Sequence, residues 1–295
     1  MKNNNFLGSF VFTFFCLLAL PVSASTKGSQ LDAHFHFISA EKAHLFADFF
    51  KGAVTAERAM QIMDNANIDQ AFGLSAGYIF PTLSEAIHEN NFMAEQTKFS
   101  SGRIVGFCGV WAIAEWAVSE LERCKTLGLR GLKLHLRFQQ FDFLNAAQLA
   151  SLEALIVKAG ELKMPVLIHP VTADQTSVSK LFAIMVKLKN TKFIVAHSLG
   201  TNYRLLSGLA FDYIHSRKNP RNIFLEVSAS ALHYAGSPEQ KIYKWNVESF
   251  GKDRVIFGSD APALDINQTR KAALKVFGAS QFKQMLEQNH KALFE

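Results

Sequence analysis

The chain has 295 residues, 27 of them phenylalanine, and a formal charge of +6. Its basic residues are scattered rather than gathered into a stripe with interleaved aromatics, which argues against nucleic-acid binding, and the imbalance is too mild to demand an anionic partner. A length of this order suits one large domain, such as a barrel of about 250 residues, and requires no second one.

Residues 1–24 read as a secretory signal. Lys2 opens it, Phe6 through Leu20 form an apolar stretch, Pro21 breaks that stretch, and Val22-Ser23-Ala24 supplies the small residues a signal peptidase accepts, so cleavage is expected after Ala24. The apolar run is short for a membrane span. An uncleaved anchor is the alternative; on either reading the catalytic part lies outside the cytoplasm, in the periplasm or secreted. Loss of Lys2 leaves 30 basic and 25 acidic side chains, a net of +5. Cys16 departs with the signal. Cys108 and Cys124 fall on a predicted strand and a predicted helix, where two free, buried thiols are expected rather than a disulfide, and their spacing does not make a Cys-x-x-Cys metal clip.

After Ser25, short β-rich apolar runs alternate with amphipathic stretches of helical length. The predicted strands are Leu31 to Phe37, Ile68 to Ser75, Ile104 to Trp111, Gly131 to Leu136, Pro165 to His169, Phe193 to His197, Ile223 to Val227 and Val255 to Ser259. Between them lie predicted helices over Thr55 to Asn67, Thr82 to Lys98, Ala114 to Leu127, Asn145 to Leu162, Gln175 to Leu188 and Pro238 to Phe250, with a less regular segment over Thr201 to Arg217. Eight such units in one domain over 25–295 predict an α/β fold of the (β/α)8 barrel type. An open doubly wound sheet would announce a Gly-rich first turn, and none follows Phe37. Short helices from Gln268 to Phe294 are expected to close the bottom or flank of the barrel.

Barrel active sites form at the C-terminal ends of the strands, and here those ends are rich in histidine. The first strand carries Asp32-Ala33-His34-Phe35-His36, and strand alternation puts His34 and His36 on one side. The fifth ends in Ile168-His169-Pro170, the sixth in Ala196-His197-Ser198 and the eighth in Gly258-Ser259-Asp260. Imidazole nitrogen and carboxylate oxygen are what zinc or a similar divalent ion takes, and such a set leaves a position open for water, as a catalytic site needs. Any one of these histidines could equally be a hydrogen-bonded structural group; structural histidines have no reason to choose the same end of four strands.

These motifs resemble the amidohydrolase superfamily, in particular its amidohydrolase-related (amidohydrolase 2) branch, which includes enzymes of the aminocarboxymuconate semialdehyde decarboxylase type. The resemblance runs through Gly131-Leu132-Lys133-Leu134-His135, Pro165 to His169, Ile194 to His197 and Val255 to Asp260, and ends at Asn289 to Phe294, similar to the family's closing Asn-Ala-x-x-x-Phe phrase. It implies one divalent metal, zinc or alternatively manganese, on His34, His36, His169 and Asp260. His197 would stand beside the metal as a supporting group, a catalytic base or a further ligand. The fourth-strand phrase departs from Lys-Leu-His-Pro at Leu136. Lys133, His135 and Arg137 are expected to contact substrate, although Lys133 and His135 could instead be satisfied within the barrel wall. In two-metal relatives a lysine at this strand is carbamylated, which Lys133 could mimic; one metal is expected here.

The resemblance therefore implies a metal-dependent hydrolase of an ester, lactone or amide bond, with Asp260 taking the proton of the attacking water. The alternative is a decarboxylase of the same branch, with Arg137 or Arg204 anchoring a substrate carboxylate. A third reading is a non-catalytic metal or ligand binder. A small molecule is the expected partner, with self-association left open.

Overall fold

A computed structural model describes residues 29–171, 174–215 and 221–295. The expected signal, residues 1–24, lies outside the described residues, as do residues 216 and 217 of the irregular segment.

The eight predicted strands all form, each within the stretch expected. They are β1 (Leu31–Phe37), β2 (Gln70–Ser75), β3 (Ile104–Gly109), β4 (Gly131–His135), β5 (Val166–His169), β6 (Phe193–Val195), β7 (Ile223–Glu226) and β8 (Val255–Ile256). Each pairs in parallel with its successor. The ring closes where Ala33 N–H donates to Phe257 O at 2.9 Å and His36 N–H to Ala261 O at 2.7 Å, giving a (β/α)8 barrel. Two helices, α1 (Ala47–Phe50) and α2 (Ala56–Asn65), follow β1, and α3 (Leu83–Phe99), α4 (Ala117–Thr126), α5 (Ala146–Glu161) and α6 (Gln175–Lys187) cross over between the strands that follow. Beyond β6 come α7 (Leu205–His215), α8 (Ser228–Tyr234) and α9 (Gln240–Glu248), and after β8 come α10 (Ile266–Phe277) and α11 (Ala279–Glu287). Side-chain caps start several of them: Asn145 accepts from Ala147 N and Gln148 N, and Asp265 from Gln268 N.

Two apolar layers follow from the strand alternation. Outward-facing residues pack against the helices. Inside, Leu31, Ala33, Phe72, Leu74, Phe107, Leu167, Ile194, Phe224 and Ile256 fill the barrel together with Leu293, and Phe294 meets Phe72 edge-on at 5.7 Å. The C-terminal tail thus plugs the bottom. With the bottom filled, the top is left for the polar residues that end the strands.

One expectation fails. Cys108 and Cys124 form a disulfide, with Cα atoms 6.0 Å apart across 16 residues. The linear spacing suggested nothing because the connection folds back: β3 leads into α4, whose last turn lies over the strand and brings the two sulfurs together.

Candidate metal centre

Three predicted ligands converge. His34 Nε2 lies 3.2 Å from His36 Nε2 and 3.2 Å from Asp260 Oδ1, and His36 Nε2 lies 2.9 Å from the same oxygen. The register of β1 against β2 shifts between Asp32 and Phe35, the stretch that carries His34. Asp260 has a left-handed backbone (φ 65°), and its N–H donates to His34 O at 2.9 Å, which ties the end of β8 to β1.

The donor set fits a divalent cation. Three basic atoms about 3 Å apart are the edge lengths of a coordination polyhedron whose bonds are about 2.0–2.1 Å. A cation would take the place of the proton that otherwise lies between His36 Nε2 and Asp260 Oδ1. Burial lowers the His34 pKa to about 4 and lowers that of His36, so both rings are neutral and able to ligate. Burial works against the Asp260 carboxylate, but His34, His197 and the hydrogen bond from His36 prevail and hold it well below the usual range, so it is anionic.

Glu226, at the end of β7, is the member of the site that sequence reasoning missed. It is fully buried and accepts from His34 Nδ1 at 2.8 Å, from His197 N at 3.2 Å and from both Ser228 N and Ser228 Oγ. Burial opposes its charge; the bond from His34 and the nearby His197 keep its pKa below the ordinary glutamate value. An anionic Glu226 fixes the proton of His34 on Nδ1 and leaves Nε2 bare toward the cluster. Gly258 lets the chain after β8 lie against this carboxylate, since a Cβ there would stand 2.7 Å from Glu226 Cδ. The available signal was an acid ending the apolar run Ile223-Phe224-Leu225, at the same end as the histidines.

His197 sits beside the cluster. Its ring stacks on His34 at 5.1 Å between centroids, and its Nδ1 lies 2.7 Å from Ser228 Oγ. β6 stops two residues earlier than expected because His197, Ser198 and Leu199 all take positive φ. His34, His197 and Glu226 form a second, overlapping group of potential ligand atoms.

His169 faces the same cavity but stands apart from the tight cluster. Its Cα pairs in register with that of His135 across β4 and β5, and the rings stack at 3.9 Å; His197 meets it edge-on at 4.9 Å. Burial and the neighbouring His135 push its pKa well down, leaving it neutral.

Lys133 and His135 line the cavity too, on the same face of β4. Lys133 Nζ is buried with no hydrogen-bond partner among the described residues and lies 5.5 Å above the Tyr78 ring; burial lowers its pKa to about 8. His135 Nδ1 accepts from Phe138 N at 3.0 Å. Arg137 is exposed and does not reach the cavity, and Arg204 pairs with Glu239 at 2.8 Å on the surface. The cavity, of about 380 Å³, is walled by Phe46, Phe49, Phe50, Tyr78, Ile79, Phe138 and Ala263, with His36, Lys133, His135, His169, His197 and Asp260 on its floor.

Comparison with known families bears on this arrangement. The family profile described as amidohydrolase matches residues 31–295. The chain belongs to the amidohydrolase family. Members are metal-dependent enzymes and include both hydrolases and decarboxylases. No curated protein sequence matches the chain. Among solved structures, a dihydroxybenzoic acid decarboxylase from Polaromonas, crystallised with manganese and 2-nitroresorcinol, is similar in fold with a TM-score of 0.68 at 18% identity, over 90% of this chain and 97% of that one. A 5-carboxyvanillate decarboxylase from Sphingomonas paucimobilis gives 0.68 at 13% over 90% and 98%, and a putative 2-pyrone-4,6-dicarboxylic acid hydrolase from Pseudomonas putida gives 0.65 at 18% over 90% and 97%. At these identities the likeness concerns the fold.

Proposed function

We propose that this amidohydrolase is an exported hydrolase of an ester, lactone or amide bond in a small molecule with an apolar, ring-sized body. The observation that carries the reading is the convergence of His34, His36 and Asp260, the last two on the floor of a cavity whose walls are largely phenylalanine. His34, His36 and Asp260 would hold one divalent cation, zinc by the nitrogen-rich donor set or manganese, with His169 completing the set by a side-chain rotation away from His135. When bound, the cation would lower the pKa of water at the site and polarise an acyl oxygen. Asp260, anionic and beside that position, takes the proton of the attacking water and returns it to the leaving group. His197 offers the second base: if Ser228 Oγ donates to Glu226 it accepts from His197 Nδ1–H, and Nε2 is left bare. The phenylalanine wall excludes bulk water and receives the substrate's body.

Decarboxylation is the second reading, supported by the decarboxylases among the structural neighbours. It needs a cation for the substrate carboxylate; neither arginine considered for that role lines the cavity, and Lys133 is the cationic side chain that does. The deciding experiment is turnover by metal-loaded protein on aryl ester, lactone and amide panels beside carbon dioxide release from hydroxybenzoates. Hydrolysis abolished by chelation and restored by zinc or manganese is expected; carbon dioxide release without hydrolysis would reverse the order. Bound metal with turnover on neither panel would leave a binding protein.

Export rests on the pattern of residues 1–24 and on the buried Cys108–Cys124 bridge, because disulfides persist in oxidising compartments. Amino-terminal sequencing of protein from the periplasmic and extracellular fractions is expected to begin at Ser25; intact Met1 in the cytoplasmic fraction alone would refute export.

A further inference from the structure

Two side-chain donors of β4 face the cavity, Lys133 Nζ and the ring N–H of His135. Lys133 Nζ is wholly buried without a partner among the described residues, an arrangement that is costly for an ammonium group unless something else fills the position. His135 is less obvious. The backbone N–H of Phe138 points at its Nδ1 at 3.0 Å, so that nitrogen carries a lone pair and the ring proton must be on Nε2. Stacking on Tyr78 at 5.6 Å between centroids, with the bond from Phe138 N–H, holds the ring in place. Both residues line the cavity, and two positions apart on a strand their side chains lie on one face. Tyr78 Oη lies 3.3 Å from His36 Nδ1 and accepts from it when His36 Nε2 serves as a ligand.

We propose that Lys133 Nζ and His135 Nε2–H form an oxyanion seat: two catalytic donors that receive the acyl oxygen of the substrate as it becomes negative. The proposal rests on the hydrolase reading above. Water oxygen bonds to the acyl carbon while its proton passes to Asp260, and the carbonyl π pair moves onto the oxygen held by Lys133 and His135. On collapse the carbonyl re-forms, the bond to the leaving group breaks, and the leaving group departs with the proton from Asp260. Donors fixed before reaction need no reorganisation as charge develops, which is why such seats favour the transition state over the ground state. Arg137, expected beside this pair, takes no part.

The test compares two probes by calorimetry on zinc-loaded protein: methyl phenylphosphonate, a tetrahedral monoanion, and benzamide, its planar neutral counterpart. Lys133→Met and His135→Asn are each expected to weaken the phosphonate by about 100-fold, the scale set by loss of one oxyanion donor, and benzamide by no more than about threefold. His135→Gln, whose amide N–H reaches toward the Nε2 position, should restore most of the phosphonate affinity. Zinc content and near-ultraviolet circular dichroism check that each variant is folded. Nitrogen-15 NMR of the wild type needs no variant: His135 is expected to carry its proton on Nε2 alone. A proton on Nδ1, equal losses for both probes, no loss for either, or a phosphonate that does not bind the wild type would each overturn the seat. Turnover on the ester, lactone and amide panels separates the two claims. Wild-type hydrolysis with unchanged phosphonate affinities removes only the seat; selective phosphonate binding without hydrolysis leaves an anion seat and removes the hydrolase reading.

Discussion

Replacing Glu226 by glutamine keeps the shape of the side chain and removes its charge. The carboxylate takes bonds from four donors, His34 Nδ1 at 2.8 Å, His197 N at 3.2 Å, Ser228 N and Ser228 Oγ at 3.1 Å, and an amide can accept at only one of its two ends. With the amide nitrogen toward His34, two N–H groups confront each other unless His34 moves its proton to Nε2, where His36 and Asp260 converge. With the amide nitrogen toward Ser228, a backbone N–H is left without its acceptor. Loss of such a supporting carboxylate costs about 10- to 100-fold in metal affinity, or roughly 1.4 to 2.7 kcal/mol. The assay is zinc competition against a chromophoric chelator, with thermal unfolding of the metal-free protein alongside. Glu226→Gln should release zinc to a chelator that the wild type resists, while the metal-free protein keeps its cooperative transition. Wild-type zinc affinity in the variant would show that Glu226 does not orient His34, and the account of the site would have to be rebuilt.

Other perturbations test separate parts of the structure. His36→Ala should leave the protein folded but free of zinc by elemental analysis, whereas Asp260→Asn should retain some metal and lose almost all turnover; a fully active Asp260→Asn would remove the proton-transfer role. Reduction of the Cys108–Cys124 bridge releases a loop of 16 residues and should lower stability by about 3 kcal/mol in denaturant titrations; an unchanged midpoint after reduction, with two titratable thiols, would contradict this. Metal-free protein should lose stability on acidification. His34 has a folded pKa of about 4 against an ordinary 6.5, so the unfolded chain takes the proton first, and its contribution, up to about 3 kcal/mol, is complete above pH 6.5 and lost as pH falls toward 4. Asp32, raised by burial to about 7, works in the opposite sense over a similar range, but His36 and His169, also lowered, add to His34. A urea midpoint that rises between pH 7 and pH 4.5 would refute the balance.

The barrel was legible because its signal is redundant: eight apolar runs and their helices each repeat the same message, and trimming several strands by a residue or more changes nothing. The site was legible where a ligand-type side chain ends such a run, as at His34, His36 and Asp260. It was less legible where geometry depends on turns. The sequence reads Phe193 to His197 as one strand, yet the chain leaves β6 after Val195, and only the left-handed turn determines where His197 faces. Arg137 lies two residues past β4, but the turn that brings Phe138 N–H onto His135 Nδ1 leaves Arg137 exposed to solvent. The disulfide escaped notice for a related reason, since a separation of 16 residues says nothing about a helix folding back over its strand.

The end of β7 explains how these turns are maintained. His197, Ser198 and Leu199 all have left-handed backbones, a conformation that costs on the order of 1–3 kcal/mol for each non-glycine residue. Such a cost persists only where the surroundings over-determine the conformation, and here they do. Glu226 accepts from His197 N, Glu226 O accepts from Ser198 Oγ at 2.9 Å, Ser228 holds the His197 ring, and Ser230 Oγ donates to His197 O. Four of the atoms that hold this turn belong to residues 226–230, and the same Glu226 sets the tautomer of His34. Placement of the candidate base and orientation of the first ligand are therefore one property rather than two. A substitution at Glu226 should disturb metal retention and the position of His197 together, whereas Ser230→Ala, which removes a bond to the turn and none to His34, His36 or Asp260, should slow turnover with zinc affinity unchanged. Equal losses of metal in both variants would mean that the turn and the ligands are not coupled through this carboxylate.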